Sequence, residues 1–203
     1  MMTHIYRQFE RPHGPLGALA GFVMSHRPSN KGRNRWTVEL IEPQDDARVL
    51  EIGCGPGLAL ASMCERVPTG RIVGLDHSPL MLAQAAKRNR RAIEAGRLQL
   101  HLGGLDSLAT LNSDFDVVYS INVAMFWRDK PSALRAIRRV LRAQGLLATT
   151  YQPRHRGANS ADAFKFADLL RAEMSALDFT DIRVEQLSLH PLPAVCVLGR
   201  RGA

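Results

Sequence analysis

From Arg48 onward, short apolar runs alternate with helical patterns, and no other feature restricts the possible fold so strongly. The strand candidates are RVLEIG (48–53), RIVGLD (71–76), LQLHLG (98–103), FDVVYSI (115–121) and LLATTYQ (146–152). Each holds consecutive or near-consecutive apolar residues, as a strand covered on both faces does. Between them, residues 58–66, 79–95 and 131–141 space their apolar side chains three and four apart. Strand, helix, strand repeated in this way predicts an α/β domain: a Rossmann-like, doubly wound, mostly parallel sheet with helices on both faces. Ser78-Pro79 reads as an N-cap followed by proline at the first helical position, and Lys130-Pro131 as a similar helix start. Gly96 and Gly145 are placed where helices stop and the chain reverses. After a helix over about 160–177, IRVEQLSL (182–189) and AVCVLGR (194–200) are joined only by His190-Pro191-Leu192-Pro193, which predicts an antiparallel hairpin at the end of the sheet.

The 203 residues suit one main domain, expected over 46–203. In residues 1–45, GALAGFVMSHR (17–27) and RNRWTVELIE (33–42) read as two short helices, with Pro28-Ser29-Asn30-Lys31-Gly32 as the turn between them. This basic, partly apolar segment suits a lid over a pocket, or else a peripheral membrane contact. No apolar stretch reaches the roughly 18 residues that span a bilayer. Nothing argues for export, so the cytoplasm is the expected compartment. Cys54, Cys64 and Cys196 are scattered and form no Cys-x-x-Cys pair; neither a disulfide framework nor a metal site is expected. The formal net charge is +8, which raises the question of nucleic acid. The arginines, however, are spread through helical patterns, as in Lys87-Arg88-Asn89-Arg90-Arg91, and no basic tract is interleaved with aromatics for base stacking. Solvated helix faces account for them better, and nucleic acid is not the expected partner.

The first strand ends in Glu51-Ile52-Gly53-Cys54-Gly55-Pro56-Gly57. In an open parallel sheet, ligands bind beyond the carboxyl ends of the strands, where glycine lets the backbone approach them. The position after Gly57 is Leu58, so the dinucleotide fingerprint G-x-G-x-x-G is missed, and no Gly-Lys-Ser/Thr marks a phosphate loop. Glu51 at the strand tip would meet a pyrophosphate badly but suits a cationic ligand. The second strand ends in Asp76, nineteen residues past Gly57, where an acid can accept both hydroxyls of a ribose. Cys54 has no evident base and reads as a small packing residue.

These residues, with Gly74-Leu75-Asp76-His77-Ser78, Asp116–Asn122, Phe126-Trp127 and Arg139–Leu147, resemble the class I S-adenosylmethionine-dependent methyltransferases over roughly residues 35–200. The resemblance implies S-adenosyl-L-methionine as cofactor. It brings Gly53, Cys54, Gly55 and Gly57 against the methionine and ribose, Glu51 near the amino group, and Asp76 onto the ribose hydroxyls. It puts His77 beside the adenine, with Met81 as an apolar contact to the cofactor, and Asn122 and Val123 facing the methionine and the transferred methyl. The family often has Gly-Asp-Ala after the third strand; here Gly103-Gly104-Leu105-Asp106 lacks the acid at Gly104, and Asp106 or the Leu105 backbone is the substitute. Arg142-Ala143-Gln144-Gly145 stands in place of the usual Pro-Gly-Gly turn.

The resemblance implies methyl transfer to a small-molecule acceptor, and its wording near quinone and phospholipid-amine methyltransferases allows a lipid-like one. Methylation of RNA or protein, a non-catalytic cofactor-binding protein, and a dinucleotide oxidoreductase are the alternatives. Asn122-Val123-Ala124-Met125 disfavours base amino groups, whose enzymes often show Asn/Asp-Pro-Pro-aromatic there. No residue is assigned as a general base. Tyr6, His26, Tyr119, Trp127, Tyr151 and His155 are candidates for the acceptor side; Tyr119 suits strand packing better, Trp127 suits stacking on the acceptor and a packing role equally, and His155 reads more readily as an exposed loop histidine.

Overall fold

A computed structural model of the protein describes residues 28–111 and 114–203. The helix at 17–27 and the candidates Tyr6 and His26 lie outside those residues. Seven strands, β1 (Arg48–Ile52), β2 (Arg71–Asp76), β3 (Leu98–Leu102), β4 (Phe115–Ile121), β5 (Leu141–Tyr151), β6 (Phe179–Leu187) and β7 (Ala194–Arg201), form one sheet in the order β3-β2-β1-β4-β5-β7-β6. The first five are parallel, and the hairpin adds β7 antiparallel to both β5 and β6. The expected sheet is therefore present, with strand order reversing between β1 and β4, the place where such folds bind ligands.

Successive residues of each strand serve opposite layers. Leu50, Val118, Leu147 and Val197 pack with α5 (Lys130–Val140) and α6 (Ser160–Ser175). Val49, Val117, Ala148 and Leu198 pack with α1 (Pro28–Ile41) and α2 (Leu58–Arg66). Both faces being dry explains why the parallel strands read as continuous apolar runs rather than as an alternation.

Four local expectations need correction. Pro28–Gly32 is not a turn: it forms the first turns of α1, because proline fits a helix start and Ser29 and Asn30 are tied to Arg154, just past β5 and over a hundred residues away. The helix expected over 79–95 breaks into α3 (Pro79–Arg88) and α4 (Arg90–Glu94), since buried Asn89 turns its amide onto Gly57 O (3.1 Å) and Ala85 O (2.9 Å). Gly145 does not end a helix; α5 stops at Val140, and Gly145 lies within β5. There Arg142–Gly145 bulges out between Leu141, paired with Phe115, and Leu146, paired with Val117. Arg142 Nε holds the bulge to Asp116 at 2.7 Å, and Gln144 takes φ +63°. Finally, Trp127 is buried in the core beside Leu134 and Ala133 rather than facing an acceptor.

Candidate active site at the carboxyl ends of β1, β2 and β4

The chain leaves β1 through Gly53, Gly55 and Gly57, all with left-handed φ (+70°, +51° and +75°). A side chain at Gly53 would collide with Val123, whose Cγ2 lies 2.4 Å from the position of a Cβ, whereas the same position on Gly55 faces open space. The loop is anchored from several sides. The amides of Gly53 and Cys54 both donate to Leu75 O, at 2.7 and 3.0 Å. Arg88 Nε donates to Pro56 O, and Asn89 holds Gly57 O.

Asp76 ties this loop to the next helix. Its Oδ2 accepts from Gly55 N at 2.8 Å and its Oδ1 from Ser78 N at 2.9 Å. Ser78 in turn caps α3, its hydroxyl accepting from the amide of Met81. An ionised carboxylate offers about four acceptor sites, so each Asp76 oxygen keeps acceptor capacity after these two bonds. Met81 is buried at the first turn of α3 and His77 is exposed beside it. Past β3, the half-buried Leu105 and exposed Asp106 open a short 3-10 turn, Leu105–Thr110. Asp106 Oδ1 lies 3.1 Å from where a Cβ of Gly104 would stand, so the carboxylate folds back over the position at which the family's acid is missing.

Glu51 is fully enclosed and accepts a 2.8 Å bond from Tyr119 Oη. That bond places Tyr119 inside the sheet, away from the acceptor side. Burial, opposed by the Tyr119 bond and assisted by the nearby Asp76 charge, pushes the Glu51 carboxyl up to about 8. Burial first, then Glu51 and Asp76, also holds the Cys54 thiol well above its ordinary value, so it serves as packing and not as a thiolate. Among the described residues, no lysine or arginine bridges to Glu51 or Asp76. Two adjacent acids without a cation fit a positively charged ligand.

The raised Glu51 carboxyl gives a stability prediction. The folded state keeps its proton between about pH 4.5 and 8 while the unfolded chain releases it, so stability is lost as pH rises through that window. Glu51→Gln keeps an acceptor for Tyr119 and cannot ionise. Thermal unfolding of the ligand-free protein is expected to show the wild type losing ground to the variant from pH 5 to pH 8; parallel curves would contradict the burial argument.

At the end of β4, Asn122 takes φ +56° and donates its side-chain amide to Gln152 O (3.0 Å), while its Oδ1 accepts from Gln152 N (2.8 Å). The side chain thus prolongs the β4–β5 ladder, and Val123 covers Gly53. Sequence reasoning missed Asn89, Gln152, Arg33 and Arg154, all of which support this end of the sheet. Among the remaining acceptor candidates, Tyr151 stacks at 4.4 Å on Phe166 in the core, and His155 faces Asp162 at 3.4 Å on the α6 side.

Comparison with known proteins agrees with this geometry. A family model described as a methyltransferase domain matches residues 49–145, which hold the loop, both acids and β4. An uncharacterized methyltransferase of Bacillus subtilis strain 168, YdaC, is 28% identical over 91% of this chain and 99% of its own length. A trans-aconitate 2-methyltransferase of Deinococcus radiodurans is 33% identical over 57% of this chain, which spans only 42% of that relative. Among solved structures, the N-methyltransferase NodS of Bradyrhizobium japonicum WM9, in complex with S-adenosyl-L-homocysteine, superposes with a TM-score of 0.70. That match covers 89% of this chain and 91% of NodS at 15% identity, and shows the shared fold. Glycine loop, acid-tipped strands, sheet order and family match converge: residues 49–145 carry a methyltransferase domain of the class I S-adenosylmethionine-dependent kind.

Proposed function

We propose that the protein transfers the methyl group of S-adenosyl-L-methionine to a small, polar acceptor, with the donor held against Gly53–Gly57 and Asp76. The observation that carries this reading is the Asp76 carboxylate, pinned by two backbone amides yet retaining acceptor capacity for a ribose diol. Glu51, 2% exposed, is held protonated below about pH 8 in the ligand-free fold by its burial, and a cationic ligand beneath the loop would favour its ionised form. Gly53, Cys54, Gly55 and Gly57 offer the backbone to the methionine and ribose. His77, Met81, Leu105 and Asp106 flank the adenine, and Asn122 and Val123 bound the methionine side. The cofactor supplies a methyl group already activated on a sulfonium. The protein's share is then to align the acceptor for in-line displacement and exclude water, and no residue is assigned as a base.

A polar acceptor is favoured over a lipid because the carboxyl end of β5 presents Gln152 and Arg154, faced by Arg33 and Asn30 of α1. The trans-aconitate 2-methyltransferase relative supports a small molecule. The test is to incubate cell extract with methyl-labelled S-adenosylmethionine and the protein, then separate soluble metabolites, lipids, RNA and protein. Label in the soluble fraction is expected; label confined to lipid, RNA or protein would overturn the small polar acceptor. Parallel calorimetry with NADH is expected to show no binding, and tight NADH binding would contradict the donor assignment.

A further inference from the structure

Beyond the strand tips, α1 carries a guanidinium into the interior. Arg33 is 5% exposed, donates through one terminal nitrogen to Gln152 Oε1 at 2.6 Å, and leaves its buried Nε without a hydrogen-bond partner. Among the described residues, no carboxylate lies within salt-bridge distance of Arg33. A second guanidinium is close: Arg154 donates to the same Gln152 Oε1 at 2.7 Å and also to Ser29 Oγ and Asn30 Oδ1. Burial, and secondarily the charge of Arg154, lower the Arg33 guanidinium to about 9, which still leaves it a cation at neutral pH. For Arg33, a buried cation that donates only to a neutral oxygen it shares with Arg154, this is an unfavourable arrangement for a fold to keep, since a buried charge without a counter-charge is costly. An anion at Arg33 would reverse the sign of the balance.

The position of this pair matters as much as its charge. Gln152 accepts both guanidinium groups on its side chain and bonds the Asn122 side chain with both of its backbone groups. Its Nε2 is itself fixed to Leu192 O at 2.7 Å, so the carbonyl cannot swing away. Asn122 adjoins Val123, which covers Gly53. One continuous set of contacts therefore joins the glycine loop to Arg33. The helix that delivers Arg33 is locked in register with β5 by the 2.7 Å contact between Thr37 Oγ1 and Thr150 Oγ1.

We propose that Arg33, with Arg154 beside it, recognises a carboxylate on the methyl acceptor, making the substrate class a small carboxylic acid. This rests on the donor assignment above, and the experiment separates the two. Protein saturated with S-adenosylhomocysteine is titrated calorimetrically with succinate, propane-1,2,3-tricarboxylate, benzoate and octanoate, and with the amide of each. The wild type is expected to bind at least one acid about a hundredfold more tightly than its amide. In Arg33→Met that preference collapses to about twofold or less, and in Arg33→Lys, which keeps the charge without the planar fork, it is intermediate. Affinity for S-adenosylhomocysteine stays unchanged in both variants. A merely structural role for Arg33 would weaken acid and amide alike and leave their ratio intact. A wild type that binds S-adenosylhomocysteine but prefers no acid over its amide overturns the inference, as does a preference that survives in Arg33→Met. Should Arg33→Met not fold, the wild-type and Arg33→Lys ratios decide the matter by the same criterion. Failure of the wild type to bind S-adenosylhomocysteine would instead contradict the donor site.

Discussion

Asp76→Ala is expected to weaken S-adenosylmethionine binding by about a hundredfold, which corresponds to two hydrogen bonds from a charged acceptor at about 1.5 kcal/mol each. The same change strips the acceptors from Gly55 N and Ser78 N, so the loop and the start of α3 lose their common anchor. Some loss of thermal stability therefore accompanies the loss of affinity. The two effects are separable. Asp76→Asn restores one oxygen for a loop amide but turns an NH2 group toward the other, and it removes the negative charge. It is expected to recover part of the stability while binding the cofactor nearly as poorly as the alanine variant. Calorimetric titration alongside thermal unfolding reads both. An alanine variant with wild-type affinity would remove the ribose assignment.

Gly53→Ala is expected to produce the largest structural defect. Two penalties coincide there: a left-handed φ of +70°, and a methyl group placed 2.4 Å from Val123 Cγ2. The first costs about 1–2 kcal/mol for a residue with a Cβ, and the second about 1–3 kcal/mol as overpacking. For a chain of this size, that is a fall in Tm of roughly 5–15 °C. Only the second penalty involves Val123. The double variant Gly53→Ala/Val123→Ala should therefore regain the clash portion and keep the backbone portion. Thermal unfolding of the four proteins forms a double-mutant cycle. Additive losses would mean that the contact between Gly53 and Val123 has no energetic weight.

The degree to which this protein was legible varies along the chain for physical reasons. β2 and β4 match their expected bounds because apolar runs buried on both faces are delimited by an acid at one end and a left-handed asparagine beyond the other. The shape of the glycine loop was equally legible, since its glycines and Asp76 are set by backbone geometry and by a spacing local to one strand–helix–strand unit. β5 begins five residues earlier than its apolar pattern suggests, because Leu141 pairs with Phe115 across a polar bulge held by Arg142 and Asp116. No period-two or helical rule encodes such a bulge. The first turns of α1 were obscured by a composition, Pro-Ser-Asn-Lys-Gly, that favours turns in isolation; tertiary bonds from Arg154 to Ser29 and Asn30 override it. Distance in sequence also hid the polar cluster at the end of β5. Arg33 and Gln152 are 119 positions apart, and nothing in either neighbourhood announces the other. Trp127 shows the opposite error: a large aromatic near a cleft suggested stacking on a substrate, yet burial against α5 is where its apolar area is best used.

The two acids at the strand tips are placed for a ligand more than for the fold. Glu51 is buried beside Asp76 without a basic partner among the described residues, a poor arrangement for the empty fold and a good one for a cationic ligand. Charge placed for binding rather than for folding is common at functional sites.

A crystal structure of the protein with S-adenosylhomocysteine tests the central claim most directly. The ribose hydroxyls are predicted to lie within hydrogen-bond distance of the Asp76 carboxylate oxygens, with the amino acid portion along Gly53–Gly55 and beside Val123. A ribose bound elsewhere, with Asp76 still engaged only by Gly55 N and Ser78 N, would contradict it.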